Sequence, residues 1–460
     1  MSAENACAIM NGTLARVQDG ARRFAGVSID SRTLRPRNAF FCLRGERVDG
    51  HRFAETAARN SAGTIVVNRE RLPRFRRLPV PVIGVDDTVT ALGDLAAEFR
   101  KRFPTRYIAV TGSVGKTTTK EMIAAVLATK CRVFRSPGNY NNLLGIPLAL
   151  LERTPSSDAE PLGVLEFGMS SHGEIARLTG MIQPQWGVVT RIGVAHLLQM
   201  KSLLQIARAK RELFDHSDPS VTAFLNADDP YQRRWAARWR RPTVRYGIDH
   251  AGDVTASDLR STASGVSFRV NARHDFAIHM AGEYNVSNAL AAIAVGRSFG
   301  VSFRDIADAL RRVRPVGERS RILRWNGALI IDDCYNANPT SMAAAIESLK
   351  HRTTRSRRIV VLGAMRELGR GERQWHRRAA QDTRGLDLVL TVGPGGLLYQ
   401  SGLPSEIAHT HVASAAAAAQ WATRHLRRGD VVLIKGSHSE GLDVIGQRLR
   451  EHETTRGRRS

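Results

Sequence analysis

The chain has 460 residues, 42% of them apolar, and a formal charge of +25. Its length exceeds one ordinary core and predicts two or three domains. No run of about 18 apolar residues occurs, so a membrane-spanning helix is excluded and a soluble globular protein is expected.

The N-terminus, Met1 to Cys7, has neither a basic n-region nor an apolar h-region, so no signal peptide is expected. Cys7, Cys42, Cys131 and Cys334 are scattered without CxxC spacing. That fits a reducing cytoplasm and argues against a zinc site or a disulfide frame. Residues 1 to about 103 carry short apolar runs at Gly26–Ile29, Ala39–Leu43, Gly63–Val67 and Val80–Val85. A helical stretch, Thr88–Phe103, closes what reads as a small α/β domain.

Tyr107-Ile108-Ala109-Val110 then forms a short apolar strand. It runs into Thr111-Gly112-Ser113-Val114-Gly115-Lys116-Thr117-Thr118, and on into a helix over Lys116–Thr129. Strand-like runs follow at Gly163–Phe167, Gly187–Thr190 and Thr222–Leu225, with helical stretches between them. Such alternation predicts a mostly parallel sheet. Near Asp253–His279 the apolar period turns to two, as in Val266-Ser267-Phe268-Arg269-Val270, which predicts antiparallel strands. Helices at Asn285–Phe299 and Phe303–Val313 finish this second domain, 104–315. A third, 316–460, has strands at Ala328–Ile331, Ile359–Leu362, Leu386–Val392 and Val431–Ile434. Its helices include Ser341–Lys350 and Ala413–His425, and it reads as an open doubly wound sheet.

Eight lysines stand against sixty arginines. Arginine is spread along the chain, with no basic run interleaved with stacking aromatics and no convincing Walker-B motif. The charge therefore reads as a general arginine bias suited to small anionic substrates, and no nucleic-acid partner is expected. Only Arg456–Ser460 looks like a frayed basic end. Surviving lysines mark places where arginine cannot serve. Lys116 lies in the glycine loop, Lys435 at the end of an apolar strand, and Lys210 on an apolar helical stripe.

In the glycine loop, Gly112 and Gly115 let the backbone turn its amides toward a phosphate. Ser113, Val114 and Thr118 belong to the same cradle. Lys116 reaches the β/γ-phosphates, Thr117 can hold Mg²⁺, and the helix N-terminus favours the anion. Lys210 shares a stripe with Leu203, Ile206, Leu213 and Phe214. Buried there, its amine would lose its proton readily, could add CO₂, and would become a metal-binding carbamate. Equally, its stem can lie on the stripe with its head in water. Glu166 and His196 each follow an apolar strand, where ligands bind parallel sheets. With Thr117 they could complete Mg²⁺ sites, or they are ordinary polar strand ends.

Taken in order, these residues resemble the Mur ligases, the ATP-dependent amino-acid ligases of peptidoglycan synthesis. Ser31-Arg32 with Leu43–Phe53 looks like the family's uridine-diphosphate-binding domain, which implies substrate contacts at Ser31, Arg32, Gly45, Asp49, Gly50 and His51. Gly138-Asn139-Tyr140-Asn141-Asn142 resembles the stretch near nucleotide-sugar and metal, implying roles for Asn139 and Asn142. Asn285 and Asn288 look like an adenine-contacting helix start. Asp332-Asp333-Cys334-Tyr335-Asn336-Ala337-Asn338-Pro339 resembles the signature after the nucleotide-binding arginine, here Arg319. It implies nucleotide contact at Asp333 and substrate contact at Asn336 and Asn338.

The resemblance implies three domains: uridine-binding, ATP-binding and acceptor-binding. It implies addition of D-alanyl-D-alanine to a UDP-N-acetylmuramoyl tripeptide through an acyl phosphate, with ATP and two Mg²⁺. Lys116, Glu166, His196 and carbamylated Lys210 would carry the chemistry, and the enzyme would be a cytoplasmic monomer. A paralogue joining another amine to a carboxylate is the alternative. The sequence departs from the family's usual residues at Arg191 (Asn), Leu198 (Glu), Tyr284 (His), Ala364 (Asp) and His438 (Arg). Gly168-Met169-Ser170-Ser171-His172 also lacks the usual Asn-His pair. Loss of carboxylates at 198 and 364 and gain of a cation at 191 predict weaker attraction for an ammonium-bearing acceptor.

Overall fold

The computed structural model describes residues 1–15, 23–45, 48–103, 105–153, 162–262, 265–315, 320–352 and 354–457. Among them, three sheets organise the chain in sequence order. The first runs Thr13–Leu14, Val82–Val85, Thr64–Asn68, Asn38–Phe41, Gly26–Ser28. It is parallel except for its first pair. Val82–Val85 is buried at every residue, as a strand covered on both faces must be. The helix Thr88–Arg100 follows, its first turn capped by Asp87, which accepts from the Val89 and Thr90 amides.

The second sheet has nine strands among the described residues. They run His274–Ile278, Gly265–Val270, Val254–Thr262, Thr243–Gly247, Thr222–Asn226, Trp186–Val189, Arg106–Thr111, Leu162–Glu166, Val133–Arg135. From Val133–Arg135 to Val254–Thr262 all pairs are parallel. The two pairs at the far edge are antiparallel, where the period-two pattern places them. The strand feeding the glycine loop lies inside this sheet, between Trp186–Val189 and Leu162–Glu166. The strands that lead into the glycine loop, to Glu166 and toward His196 are therefore side by side. The helix Tyr284–Ser298 is buried from Val286 to Gly296 at every residue but Ser287, which explains its many alanines.

The third sheet runs Arg321–Trp325, Ala328–Asp332, Val431–Lys435, Arg358–Leu362, Leu388–Val392, Ala408–Val412. Five strands are parallel, and Arg321–Trp325 adds an antiparallel edge that the sequence pattern did not reveal. The edge strands Val133–Arg135 and Ala408–Val412, the interior strand Thr243–Gly247 and the helix Ala3–Ile9 were likewise not anticipated. Edge strands carry polar residues on solvated faces, so they lack the apolar run that marks a central strand. The helix expected at Ser341 starts at Pro339, with Asn338 and Ser341 forming a reciprocal cap. The basic tail begins inside the helix Asp443–Gly457, and residues 458–460 lie outside the described residues. So do the junction residues 104 and 316–319, Arg319 among them. Among the described residues no helix is long and apolar enough to cross a membrane.

Candidate active site

A cavity of about 490 Å³ opens between the second and third sheets, at the C-terminal ends of their parallel strands. Ser113, Val114, Gly115, Lys116 and Thr118 line one wall. Gly115 has φ 86° and Gly112 φ 149°, in the region that favours glycine. A Cβ at Gly115 would collide with the Asn288 amide oxygen, and one at Gly112 with the Thr190 hydroxyl. The loop is thus pressed onto its neighbours. Lys116 Nζ donates to the Gly112 carbonyl at 3.0 Å, folding the lysine back along the loop it follows.

Behind the loop, Thr117 donates its hydroxyl to Glu166 Oε2 at 2.6 Å. Asn141 Nδ2 donates to Glu166 Oε1 at 2.9 Å. Glu166 is buried yet lines the cavity, so its carboxylate is held from two sides. Thr117 itself is buried behind the lining. Asn141 was passed over in the sequence, although it stands between Asn139 and Asn142. Nothing in the spacing says which of three clustered asparagines reaches the strand end. Asn139 and Asn142 both line the cavity. Asn142 Oδ1 also accepts from Leu144 and Gly145 amides at 3.1 and 2.8 Å, starting the helix Gly145–Leu151.

Lys210 sits on Leu203–Asp215 and is 2% exposed, which excludes the reading in which its head reaches water. Burial, and then the nearby Lys116 cation, push its pKa well below the usual lysine value, while Glu212 opposes the shift. The shift favours the free amine, which is the form that reacts with CO₂.

His196 has φ 53° and lines the cavity. Its Nδ1 lies 2.6 Å from Glu367 Oε2, a residue of the third sheet's loops. That hydrogen bond holds the Glu367 carboxyl below the usual range, against the opposing effect of burial. Val194 N donates to Thr340 Oγ1 at 2.8 Å, and a Cβ at Gly193 would run into Thr340. The second and third units therefore meet at the cavity's rim.

On the remaining walls Asn285, Asn288, Asp333, Asn336 and Asn338 all face the cavity, together with Tyr284, Tyr335 and Lys435. Asn285 Nδ2 donates to Ala281 O at 2.7 Å, and Asn288 Nδ2 to Asn285 Oδ1 at 3.0 Å. Tyr284 Oη and Ser320 Oγ are 2.7 Å apart, and Asp333 Oδ1 accepts from Ser320 N at 3.0 Å. Lys435 Nζ donates to Asp333 Oδ2 at 2.6 Å and to the Asn336 carbonyl at 3.2 Å. The sequence marked Lys435 as unusual without giving it a role. A buried ammonium needs a paired acid, and Asp333 is that acid.

The six N-terminal candidates do not line this cavity. Arg32 is exposed and paired with Asp30, while Ser31 is buried with its carbonyl accepting from Asn60 Nδ2 at 3.3 Å. Gly45 N donates to Val48 O at 3.0 Å, and Gly50 N to Leu43 O at 2.7 Å. His51 is 5% exposed, its Nδ1 meets Asp49 Oδ1 at 2.6 Å, and its Nε2 accepts from Asn68 N at 3.0 Å. Both ring nitrogens brace the loop.

The departures are unevenly placed. Leu198 is 60% exposed beside Gly369. Ala364 is fully buried, and a Cβ at Gly395 would fall on it and 3.6 Å from Glu440 Oε2. Glu440 is paired with Arg366, whose Nε donates to Oε1 at 2.9 Å. A carboxylate, that of Glu440, thus lies close to the position of the one absent at 364, but neither Ala364 nor Glu440 lines the cavity.

Among the described residues no three His, Cys, Asp or Glu side chains converge as a metal site. The donors at hand, the Thr117 hydroxyl and the Glu166 carboxylate, are the hard oxygens Mg²⁺ takes. Mg²⁺ commonly binds by one or two carboxylates plus substrate phosphates, so this sparse set fits it.

Family models match in three stretches. These are the Mur ligase family catalytic domain at residues 23–100, the Mur ligase middle domain at 110–296, and the Mur ligase glutamate ligase domain at 311–438. The UDP-N-acetylmuramoyl-tripeptide–D-alanyl-D-alanine ligase of Bacillus subtilis is 34% identical, covering 97% of this chain and 98% of that protein. The Escherichia coli enzyme of the same name is 32% identical over 97% of each. Crystal structure I of MurF from Acinetobacter baumannii superposes with a TM-score of 0.87, 29% identity and 98% coverage of both chains. MurF ligase from Thermotoga maritima in complex with ADP gives a TM-score of 0.83 at 28% identity, over 95% of this chain and 98% of that one.

Proposed function

Because the chain belongs to the Mur ligase family, we propose that it joins D-alanyl-D-alanine to a UDP-N-acetylmuramoyl tripeptide, using ATP and releasing ADP and phosphate. The observation that carries this reading is full-length likeness to ligases of that name together with a phosphate loop opening on an interdomain cavity. The working units are taken as 1–103 for the uridine-linked donor, 104–315 for ATP and 316–460 for the acceptor.

A terminal carboxylate oxygen of the donor attacks the γ-phosphorus of ATP, and ADP leaves. The acceptor's amine then attacks the acyl carbon, the tetrahedral adduct collapses, phosphate departs and an amide remains. Backbone amides from Gly112 to Thr118 cradle the phosphates, and Lys116 offsets charge as the phosphoryl group moves. Asn285, Asn288 and Asp333 border the nucleotide. Asn139, Asn142, Asn336 and Asn338 border the substrates. The site holds the reactants between two units, so closure supplies proximity.

Mg²⁺, when bound with ATP, lowers the electrostatic cost of the transfer. Thr117 and Glu166 would hold one ion. His196, Glu166 and the carbamate of Lys210 would hold a second. The burial of Lys210, which favours the free amine, supports the carbamate, since CO₂ adds to that amine and gives a carboxylate-like ligand. A cytoplasmic monomer fits a soluble precursor-stage enzyme. The test is a reaction with ATP, the uridine-linked tripeptide and D-alanyl-D-alanine. It should yield one ADP per amide by mass spectrometry, and no amide when any component is omitted. ADP release with no amide would reject the reading.

A further inference from the structure

His196 and Glu367 come from different sheets, yet they form a closed pair. His196 follows the strand Trp186–Val189, and Glu367 follows Arg358–Leu362. Both line the cavity. Both also adopt left-handed backbone, with φ 53° and 63°. That conformation is unfavourable for a non-glycine residue. Surrounding contacts hold it in place. Leu198 N donates to the Glu367 carbonyl at 3.2 Å, and Gly369 packs on Leu198. Glu367 is thus bound to the His196 segment through backbone and side chain together.

The 2.6 Å contact between His196 Nδ1 and Glu367 Oε2 has a directional consequence. An ionised carboxylate can only accept, so Nδ1 must carry the proton. The neutral ring then has its lone pair on Nε2. A carboxylate that fixes the tautomer of a ligand histidine also fixes the ring's orientation.

We propose that Glu367 is a positioning residue. Supplied by the C-terminal unit, it sets His196 in the Nδ1–H tautomer, so that the imidazole of the ATP-binding unit is ready only when the two units are together. This rests on the reading of His196 as part of the ligase site. It goes further by making one side chain of the acceptor unit a condition for His196's state. An enzyme whose units have parted would hold an imidazole free to change tautomer and rotamer, so phosphoryl transfer would be coupled to closure.

The test uses the full chain labelled with ¹⁵N-histidine, free of metal and nucleotide. Long-range ¹H–¹⁵N correlation at neutral pH reads the tautomer of His196, assigned by its loss in His196→Gln. The wild-type protein should show Nδ1–H. Glu367→Ala should lose that preference. Glu367→Gly, which suits the left-handed φ, should do the same and guards against a folding failure. Both variants should lower kcat about tenfold to a hundredfold, the range for losing such a partner, and leave KM for ATP little changed. An unaltered tautomer in both variants overturns the proposal. So does an Nε2–H ring in the wild type, or a changed tautomer with unchanged kcat. The tautomer is read without turnover, so an inactive wild type would count against the ligase reading and not against this one.

Discussion

Thr117 donates its hydroxyl to Glu166 at 2.6 Å, tying the helix that starts in the glycine loop to the end of the neighbouring strand. The bond brings a phosphate-side hydroxyl and a buried carboxylate to one point, where they would offer hard oxygens to Mg²⁺. Strand order makes this possible, since Arg106–Thr111 and Leu162–Glu166 are adjacent and parallel.

Lys116→Ala should remove charge stabilisation that matters most as the phosphoryl group moves. The expected loss is on the order of 3 kcal/mol or more, roughly a hundredfold or greater in kcat. Steady-state ADP release checks it. A drop below about fivefold would mean Lys116 does not face the transferring phosphate.

Lys210→Ala should be nearly inactive and partly restored by short carboxylates, which can occupy the space of the carbamate. Lys210→Arg should stay inactive, because a guanidinium cannot become an anionic ligand. Rates with and without added acetate or formate decide the matter. Normal turnover by the arginine variant would end the carbamate idea.

Much of this was readable in the sequence. The strand before Gly112 and the helix after Thr117 mark the phosphate loop, and the helix expected at Leu203–Phe214 is found at Leu203–Asp215. Periodicity could not say whether Lys210 was buried or snorkelled, because either places its stem on the same stripe. The Lys435–Asp333 pair was invisible because it joins residues 102 apart. His196–Glu367 was invisible for the same reason, at a separation of 171. Local pattern reports which face a side chain takes, and not which distant loop meets it there. For His51 the motif names a residue without saying that its ring nitrogens engage Asp49 and Asn68.

Ala364 is fully buried and does not line the cavity, so the carboxylate absent there should not limit the use of D-alanyl-D-alanine. Ala364→Asp should not raise kcat/KM, and it should lower Tm, because it buries a second carboxylate beside Glu440. A tenfold gain in kcat/KM for that variant would show that the missing acid had limited the enzyme.

His376 should make stability fall in mild acid. Its Nε2 accepts from Met365 N at 2.9 Å and its Nδ1 donates to the Glu372 carbonyl, so the folded ring is neutral. Burial lowers its pKa from the usual 6.5. The unfolded chain then takes up a proton near pH 6.5 that the folded chain refuses. The stabilisation is full above about pH 6.5 and is lost as pH falls from there through the folded value, at up to about 1.4 kcal/mol per pH unit. Calorimetric Tm of the wild type and of His376→Gln at pH 7.5 and 5.5 checks this. The wild type should lose more between the two values, and equal losses would contradict it.

The most direct test of the whole account follows one oxygen. The donor tripeptide is prepared with ¹⁸O in its terminal carboxylate and ligated with unlabelled ATP. An acyl phosphate places one ¹⁸O in the released inorganic phosphate, with ADP as the other product, and the account predicts that result. Label recovered in AMP, with pyrophosphate released, or unlabelled phosphate accompanying the amide, would contradict it.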